Sequence, residues 1–204
     1  MFIVIEGIDG AGCETQAKRV SQLLTTNYKL PTSLIKFPHY DTPVGKMIKD
    51  FLYLNQKMKA HEQFLLYTLQ FIFDAQKIKP FISTNYKLPT TNYLIADRYF
   101  TTTLCYQTLE GFDEAYALSY AKMFRIVKPD LVFFLDVKPE TAIKWKYGEG
   151  KELNFREKDL DFMKKTYKKY QDLITRQVWA KWIRINGEQD KQKVTEEIIK
   201  RLTL

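Results

Sequence analysis

The sixteen residues that open the chain, MFIVIEGIDGAGCETQ, constrain it more than any other stretch. Phe2 to Ile5 is a continuous apolar run rich in branched side chains, the pattern of a strand buried on both faces. It runs straight into Gly7-Ile8-Asp9-Gly10-Ala11-Gly12, after which Ala17, Val20, Leu23 and Leu24 keep helical spacing from Thr15 to about Thr26. A buried strand, a glycine turn and a helix in that order make a cradle for phosphate. Glycine lets backbone N–H groups turn inward without a Cβ clash, and the helix aims its unpaired N-terminal donors at the anion. The usual spacing is G-x-x-x-x-G-K-[ST]. Gly7 and Gly12 keep it, while Cys13 stands in the lysine position and Glu14 in the hydroxyl position, with Thr15 one place later. A tight strand-to-helix turn that binds nothing has the same outline, so the rest of the chain must separate the two.

Beyond the loop, strand-like and helix-like segments alternate. Ser33–Phe37, Tyr93–Asp97, Leu131–Leu135 and Trp182–Ile185 predict four further strands. Helical periods run through Val44, Met47, Ile48, Phe51 and Leu52, from about His61 to Ile82, through Ala117, Ala121, Phe124 and Val127, and over Thr141–Trp145. A long helix carries Leu160, Met163, Tyr167, Tyr170 and Ile174, and a last one Val194, Ile198 and Leu202. Five strands separated by helices predict an α/β fold, a five-stranded parallel sheet with helices on both faces and ligands at the carboxyl ends of its strands. The heptamer Thr26–Thr32 recurs unchanged as Thr84–Thr90, each time between a helix end and a strand, where Asn27 can take a left-handed cap. Two copies at no fixed period are a shared connector and not a solenoid.

At 204 residues the chain fits one domain, residues 1–204. An apolar content of 45% excludes disorder, and no apolar run approaches the roughly 18 residues of a membrane span. The start lacks the basic segment of a secretory signal, which predicts a cytoplasmic protein. Two cysteines and two histidines exclude a disulfide framework and a zinc cluster. The net charge of +8 is spread along the chain, as expected of a solvated surface and not of a nucleic-acid stripe.

At Asp97-Arg98-Tyr99 the chain resembles the thymidylate kinases, P-loop nucleoside monophosphate kinases. The resemblance runs through Phe2–Gly12, Lys36-Phe37-Pro38 with Thr42-Pro43-Val44-Gly45-Lys46, Asp97-Arg98-Tyr99 with Tyr106-Gln107, Pro129–Glu140 and Glu157–Tyr170. It implies phosphoryl transfer from Mg·ATP to dTMP, chemistry in which the protein aligns two anions, neutralises charge and excludes water. It also implies a homodimer. By family position, Arg98 clamps the monophosphate near the moving group, Asp97 holds Mg²⁺ or orients Arg98, and Asp9 contacts the acceptor sugar and its neighbouring arginine. Phe37, Tyr40, Tyr67, Gln70, Thr103, Tyr106 and Gln107 line the dTMP site. Of these, Tyr106 packs on the deoxyribose, and Tyr67 either stacks on thymine or is plain core. Gly7 to Thr15 hold the ATP phosphates.

The departures are equally specific. Without the loop lysine, the expected donor cations are those of a flexible lid at about 144–157, namely Lys144, Lys146, Lys151 and Arg156, although Trp145 replaces the usual lid arginine. Glu14 is a candidate direct ligand for Mg²⁺. Tyr40 stands where an arginine usually follows Phe-Pro, and no arginine occurs between Gln63 and Lys79, where the family places one. Two alternatives to dTMP phosphorylation follow: a kinase of another deoxynucleotide, and a catalytically silent nucleotide-binding protein.

Overall fold

In the computed structural model, which describes residues 1–54, 56–79, 93–148, 150 and 153–202, the opening apolar run is the middle strand of a sheet. This strand, β1 (Phe2–Glu6), has all five residues buried, which requires layers on both of its faces. It pairs with β3 (Tyr93–Asp97) and β4 (Leu131–Asp136), while β2 (Thr32–Lys36) and β5 (Trp182–Asn186) form the edges. The order is β2-β3-β1-β4-β5 and every pairing is parallel. The five-stranded parallel α/β sheet expected from the sequence is the one observed. Around it lie α1 (Cys13–Thr26), α2 (Pro43–Tyr53), α3 (Ala60–Ile78), α4 (Phe100–Leu109), α5 (Glu114–Met123), α6 (Pro139–Gly148), α7 (Leu160–Thr175) and α8 (Lys191–Leu202).

Three local readings need correction. The helix α4 has no counterpart in the sequence reading, because Phe100, Thr101 and Thr103–Gln107 are all buried and so leave no apolar stripe to count, and four threonines weaken its propensity. Helix α5 stops at Met123, short of Val127. At the end of α1 the left-handed residue is Lys29 (φ 55), not Asn27 (φ −90), because Asn27 and Tyr28 still bond back to the Leu23 carbonyl and the chain reverses only as Leu30 reaches Leu24. The second heptamer copy and the expected end of α3 at Ile82 lie outside the described residues.

Most buried side chains form one core around β1, β3 and β4, and Ile48, Phe51, Leu52 and Leu66 form a smaller one between α2 and α3. Tyr40, Tyr67 and Phe155 pack against the smaller core. Its approach to the sheet depends on Gly45, since a Cβ there would lie 1.6 Å from the His39 carbonyl oxygen. Thr42 caps α2 by accepting a hydrogen bond from the Gly45 N–H at 3.0 Å, and Pro43 supplies the first helical turn. The helix thereby walls one side of a cleft above the carboxyl ends of β1, β2 and β3.

Candidate active site

The glycine loop leaves β1 and enters α1 through Gly12, which takes φ 88 as the residue before the helix and makes no side-chain cap. The first N–H groups of α1 therefore have no partner within the helix and face the cleft. Gly10 also takes positive φ, and a Cβ there would meet the Ala142 carbonyl oxygen at 2.6 Å, so α6 closes against the loop only because this residue is glycine. Residues Asp9 to Thr15 line a cleft of about 570 Å³, while Gly7 and Ile8 lie beneath it. Burial pushes the Cys13 thiol far above its usual range, so it stays neutral and gives the loop no charge.

Opposite the loop, the chain turns sharply out of β3. Arg98 sits at φ 64, an uncommon conformation for a residue with a side chain. Hydrogen bonds on either side fix it: its N–H donates to the Ile5 carbonyl at 3.1 Å, and the Asp97 carbonyl accepts from the Phe37 N–H at 3.0 Å. The turn sends the guanidinium back across the loop, where Nη2 donates to Asp9 Oδ1 at 2.9 Å. Tyr106 donates its hydroxyl to the other oxygen, Oδ2, at 3.0 Å. Three residues singled out from the sequence thus meet as one unit although 97 positions separate its ends.

Beneath the unit lies Glu6, which sequence reasoning passed over. Its buried carboxylate accepts from Thr101 Oγ1 at 2.5 Å, Thr102 Oγ1 at 2.8 and 2.9 Å, Tyr170 OH at 2.9 Å and the Tyr99 N–H at 3.3 Å. Desolvation raises its pKa, and Arg98 and the hydroxyl donors offset part of the rise. In effect Glu6 caps α4 and ties it to α7. A carboxylate ending an otherwise apolar strand was the available signal, since a buried acid must be paired.

Asp97 ends β3 beside Lys36, whose Nζ is 3.8 Å from Oδ2. Burial raises the Asp97 pKa to about 6, with Arg98 and Lys36 opposing the rise. Glu14, by contrast, holds Lys18 on Oε1 at 2.7 Å and Lys36 on Oε2 at 2.6 Å, and these hydrogen bonds lower its pKa to about 2. Both Glu14 oxygens already carry an ammonium, so its geometry suits holding cations better than the metal ligation expected from sequence.

At the far end of the cleft, Phe37, Pro38, Tyr40, Leu52, Tyr53, Tyr67 and Gln107 provide a mostly aromatic lining. Tyr67 lines the cleft and also packs against the smaller core. Two acceptor-site expectations shift. Gln70 is buried away from the lining and accepts from the His39 N–H at 2.6 Å, which supports the loop after β2. Thr103 is buried inside α4, and the threonine reaching the cleft is its neighbour Thr102.

The expected lid cations separate too. Lys144 is exposed and outside the lining, and Lys151 lies outside the described residues. Lys146 lines the cleft and pairs with Glu157. Arg156 is buried at the acceptor end, where its Nη2 donates to Gln63 Oε1 at 2.6 Å and to Glu110 Oε1 at 2.7 Å. The rings of Phe51, Tyr106, Phe155 and Phe162 surround its guanidinium at 5.3 to 5.6 Å. This part of the expected lid is packed, with Leu153, Asn154, Arg156 and Glu157 all buried.

An anion cradle sharing its cleft with a half-buried arginine, with an aromatic slot beyond it, fits two nucleotides meeting at their phosphates. The family whose description is Thymidylate kinase matches residues 5–198. The chain belongs to the thymidylate kinase family. It is 31% identical to the thymidylate kinase of Rickettsia typhi over 178 residues, 86% of this chain and 83% of that protein. The thymidylate kinase of Dictyostelium discoideum is 27% identical over 198 residues, 97% of this chain and 82% of its own. That of Arabidopsis thaliana is 30% identical over 197 residues, 97% of this chain and 68% of its own. Thymidylate kinase membership thus rests on nearly the whole chain and not on the loop alone. Among the described residues, no helix is long and apolar enough to cross a membrane.

Proposed function

We propose that the chain transfers the terminal phosphoryl group of ATP to dTMP, giving ADP and dTDP. The observation that carries this reading is the Asp9, Arg98 and Tyr106 unit lining the same cleft as the helix N-terminus that ends the glycine loop. The donor's phosphates lie along Asp9 to Thr15, and the acceptor's phosphate takes the Arg98 fork, with thymine in the slot of Phe37, Tyr40 and Tyr67. A phosphate oxygen of dTMP forms the new bond to the terminal phosphorus as the bond to the ADP oxygen breaks, and the ionised acceptor has no proton to lose. The protein's work is alignment and charge balance: Arg98 spans the two anions, and Asp9 fixes its fork before substrate arrives. Tyr106, buried against the sugar position, leaves little room for a 2′-hydroxyl.

Mg²⁺ suits this arrangement as a companion of the triphosphate. Among the described residues no three His, Cys, Asp or Glu side chains cluster into a cage for a metal ion. Asp97 offers a buried hard oxygen at the cleft edge, leaving the other positions to phosphate and water. When bound, the metal neutralises phosphate charge. The exposed Leu65, Leu69 and Phe73, at i, i+4 and i+8 on α3, supply an apolar face for a homodimer, and the site of action is the cytoplasm.

The test is ADP release from Mg·ATP with dTMP, dUMP, dCMP, dAMP and dGMP in turn. We expect dTMP to give the highest kcat/KM. A faster rate with another base would reassign the acceptor, and no release with any of them would leave a silent nucleotide-binding protein.

A further inference from the structure

The loop lacks its lysine, yet the cleft around α1 does not lack a lysine. Register places Lys36 at the carboxyl end of β2 opposite Asp97, which in turn stands opposite Ile5 of β1 just before the loop. From there its Nζ reaches Glu14 Oε2 at 2.6 Å, in the first turn of α1 and one residue beyond the position the lysine has vacated. Lys18 reaches the other oxygen of the same carboxylate at 2.7 Å. The two pairs differ in kind. Lys18 and Glu14 are four apart on one helix, a common surface pair, whereas Lys36 and Glu14 join a strand end to a helix start across the mouth of the phosphate cradle. Two ammonium groups on one carboxylate leave that trio with one net positive charge beside the helix N-terminus, and Asp97, 3.8 Å from Lys36, is the other carboxylate that draws on it.

We propose that Lys36 is the catalytic cation for the donor's terminal phosphates, taking over the work of the absent loop lysine, and that Glu14 is its positioning residue. This rests on the phosphoryl-transfer reading given above. Glu14 holds Lys36 at the cradle's edge. When a triphosphate enters, its oxygens compete with the carboxylate for the ammonium, and Lys18 remains to balance Glu14. The cation comes from the end of β2 and not from the lid. Neutral Cys13 fits this exchange, because a lysine at position 13 and Lys36 would crowd like charges at one helix start.

Two measurements on Lys36→Met test the proposal separately from the reading beneath it. Binding of a non-hydrolysable ATP analogue by calorimetry should weaken about tenfold, and kcat with ATP and dTMP should fall about 100-fold, while the Kd for dTMP alone stays within about twofold. The double change Cys13→Lys/Glu14→Thr placed in the Lys36→Met background should restore most of the lost rate, which a merely structural role for Lys36 does not predict. Lys36→Arg keeps a charge at the same place and should lose much less than Lys36→Met. The proposal is overturned if Lys36→Met binds the analogue and turns over like the wild type, if Lys18→Met costs more than Lys36→Met, or if the restored loop lysine gives no rescue. Should the wild type bind the analogue through Lys36 yet transfer nothing to any monophosphate, the transfer reading fails while Lys36 keeps its place as the phosphate cation.

Discussion

At the acceptor end of the cleft the cations are largely withdrawn from solvent and each has a fixed partner, whereas over α1 they are exposed and share one carboxylate. The Arg98 and Arg156 side chains are 15% and 5% exposed, against 46% for Lys36 and 62% for Lys18. A buried guanidinium locked by Asp9 or Glu110 is already in position when substrate arrives, so little reorganisation opposes binding. An exposed ammonium must be drawn from water and from Glu14, but it can be moved along the sequence without disturbing the core. This contrast explains why the donor loop can depart from the usual pattern while the fold around it persists. Charge at the donor side is a property of the surface, and charge at the acceptor side is part of the packing.

Changes at the acceptor end should therefore cost the most. Arg98→Met should lower kcat/KM for dTMP by about 10³-fold or more, since it removes the group spanning both phosphates. Steady-state ADP release measures this, and a loss of less than about tenfold would put the transfer elsewhere in the cleft. Arg156→Ala should destabilise the protein by about 3 to 5 kcal/mol in urea unfolding, because Glu110 is left without its partner and four rings lose their filling. Lys18→Met should change stability by no more than about 0.5 kcal/mol, and equal effects at the two sites would erase the distinction drawn here.

Asp97 links the two ends and gives the contrast a pH signature. Its carboxyl is raised from 3.8 to about 6 by burial, so the charged form is the one disfavoured by folding. Its contribution to stability is present below 3.8 and is lost as the pH rises through about 6. Activity should run the opposite way, because protonation removes the charge at the cleft edge. We expect kcat to decline as the pH is lowered through about 6, and Asp97→Asn to abolish that limb along with most of the rate. A smaller effect belongs to Tyr106→Phe, which deletes one hydrogen bond to Asp9 and should raise the KM for dTMP about fivefold with kcat nearly unchanged.

What could be read from the chain follows the same division. β1 and its loop were legible because an unbroken apolar run and two spaced glycines need no partner to be recognised. Asp9, Arg98 and Tyr106 were found only through resemblance, for nothing local ties residues 89 and 97 positions apart. Family position puts Thr103 at the cleft, whereas Thr102 lines it, and burial along most of α4 leaves no period in the sequence that could tell the two apart. Arg156 looked like one more basic residue in a polar lid, and only its four ring neighbours make it interior. Lys36 is next to last in the strand predicted over Ser33–Phe37, but its role depends on which strand lies beside β2. Register, unlike hydrophobicity, is not written in single residues.

The most direct test is to follow the label from γ-labelled ATP mixed with dTMP and Mg²⁺, for the wild type and for Arg98→Met at equal concentration. The structure predicts label in dTDP with the wild type and almost none with the variant, both proteins remaining folded. Label passing only to water, or equally fast into dTDP without Arg98, would contradict the alignment of two nucleotides across that arginine.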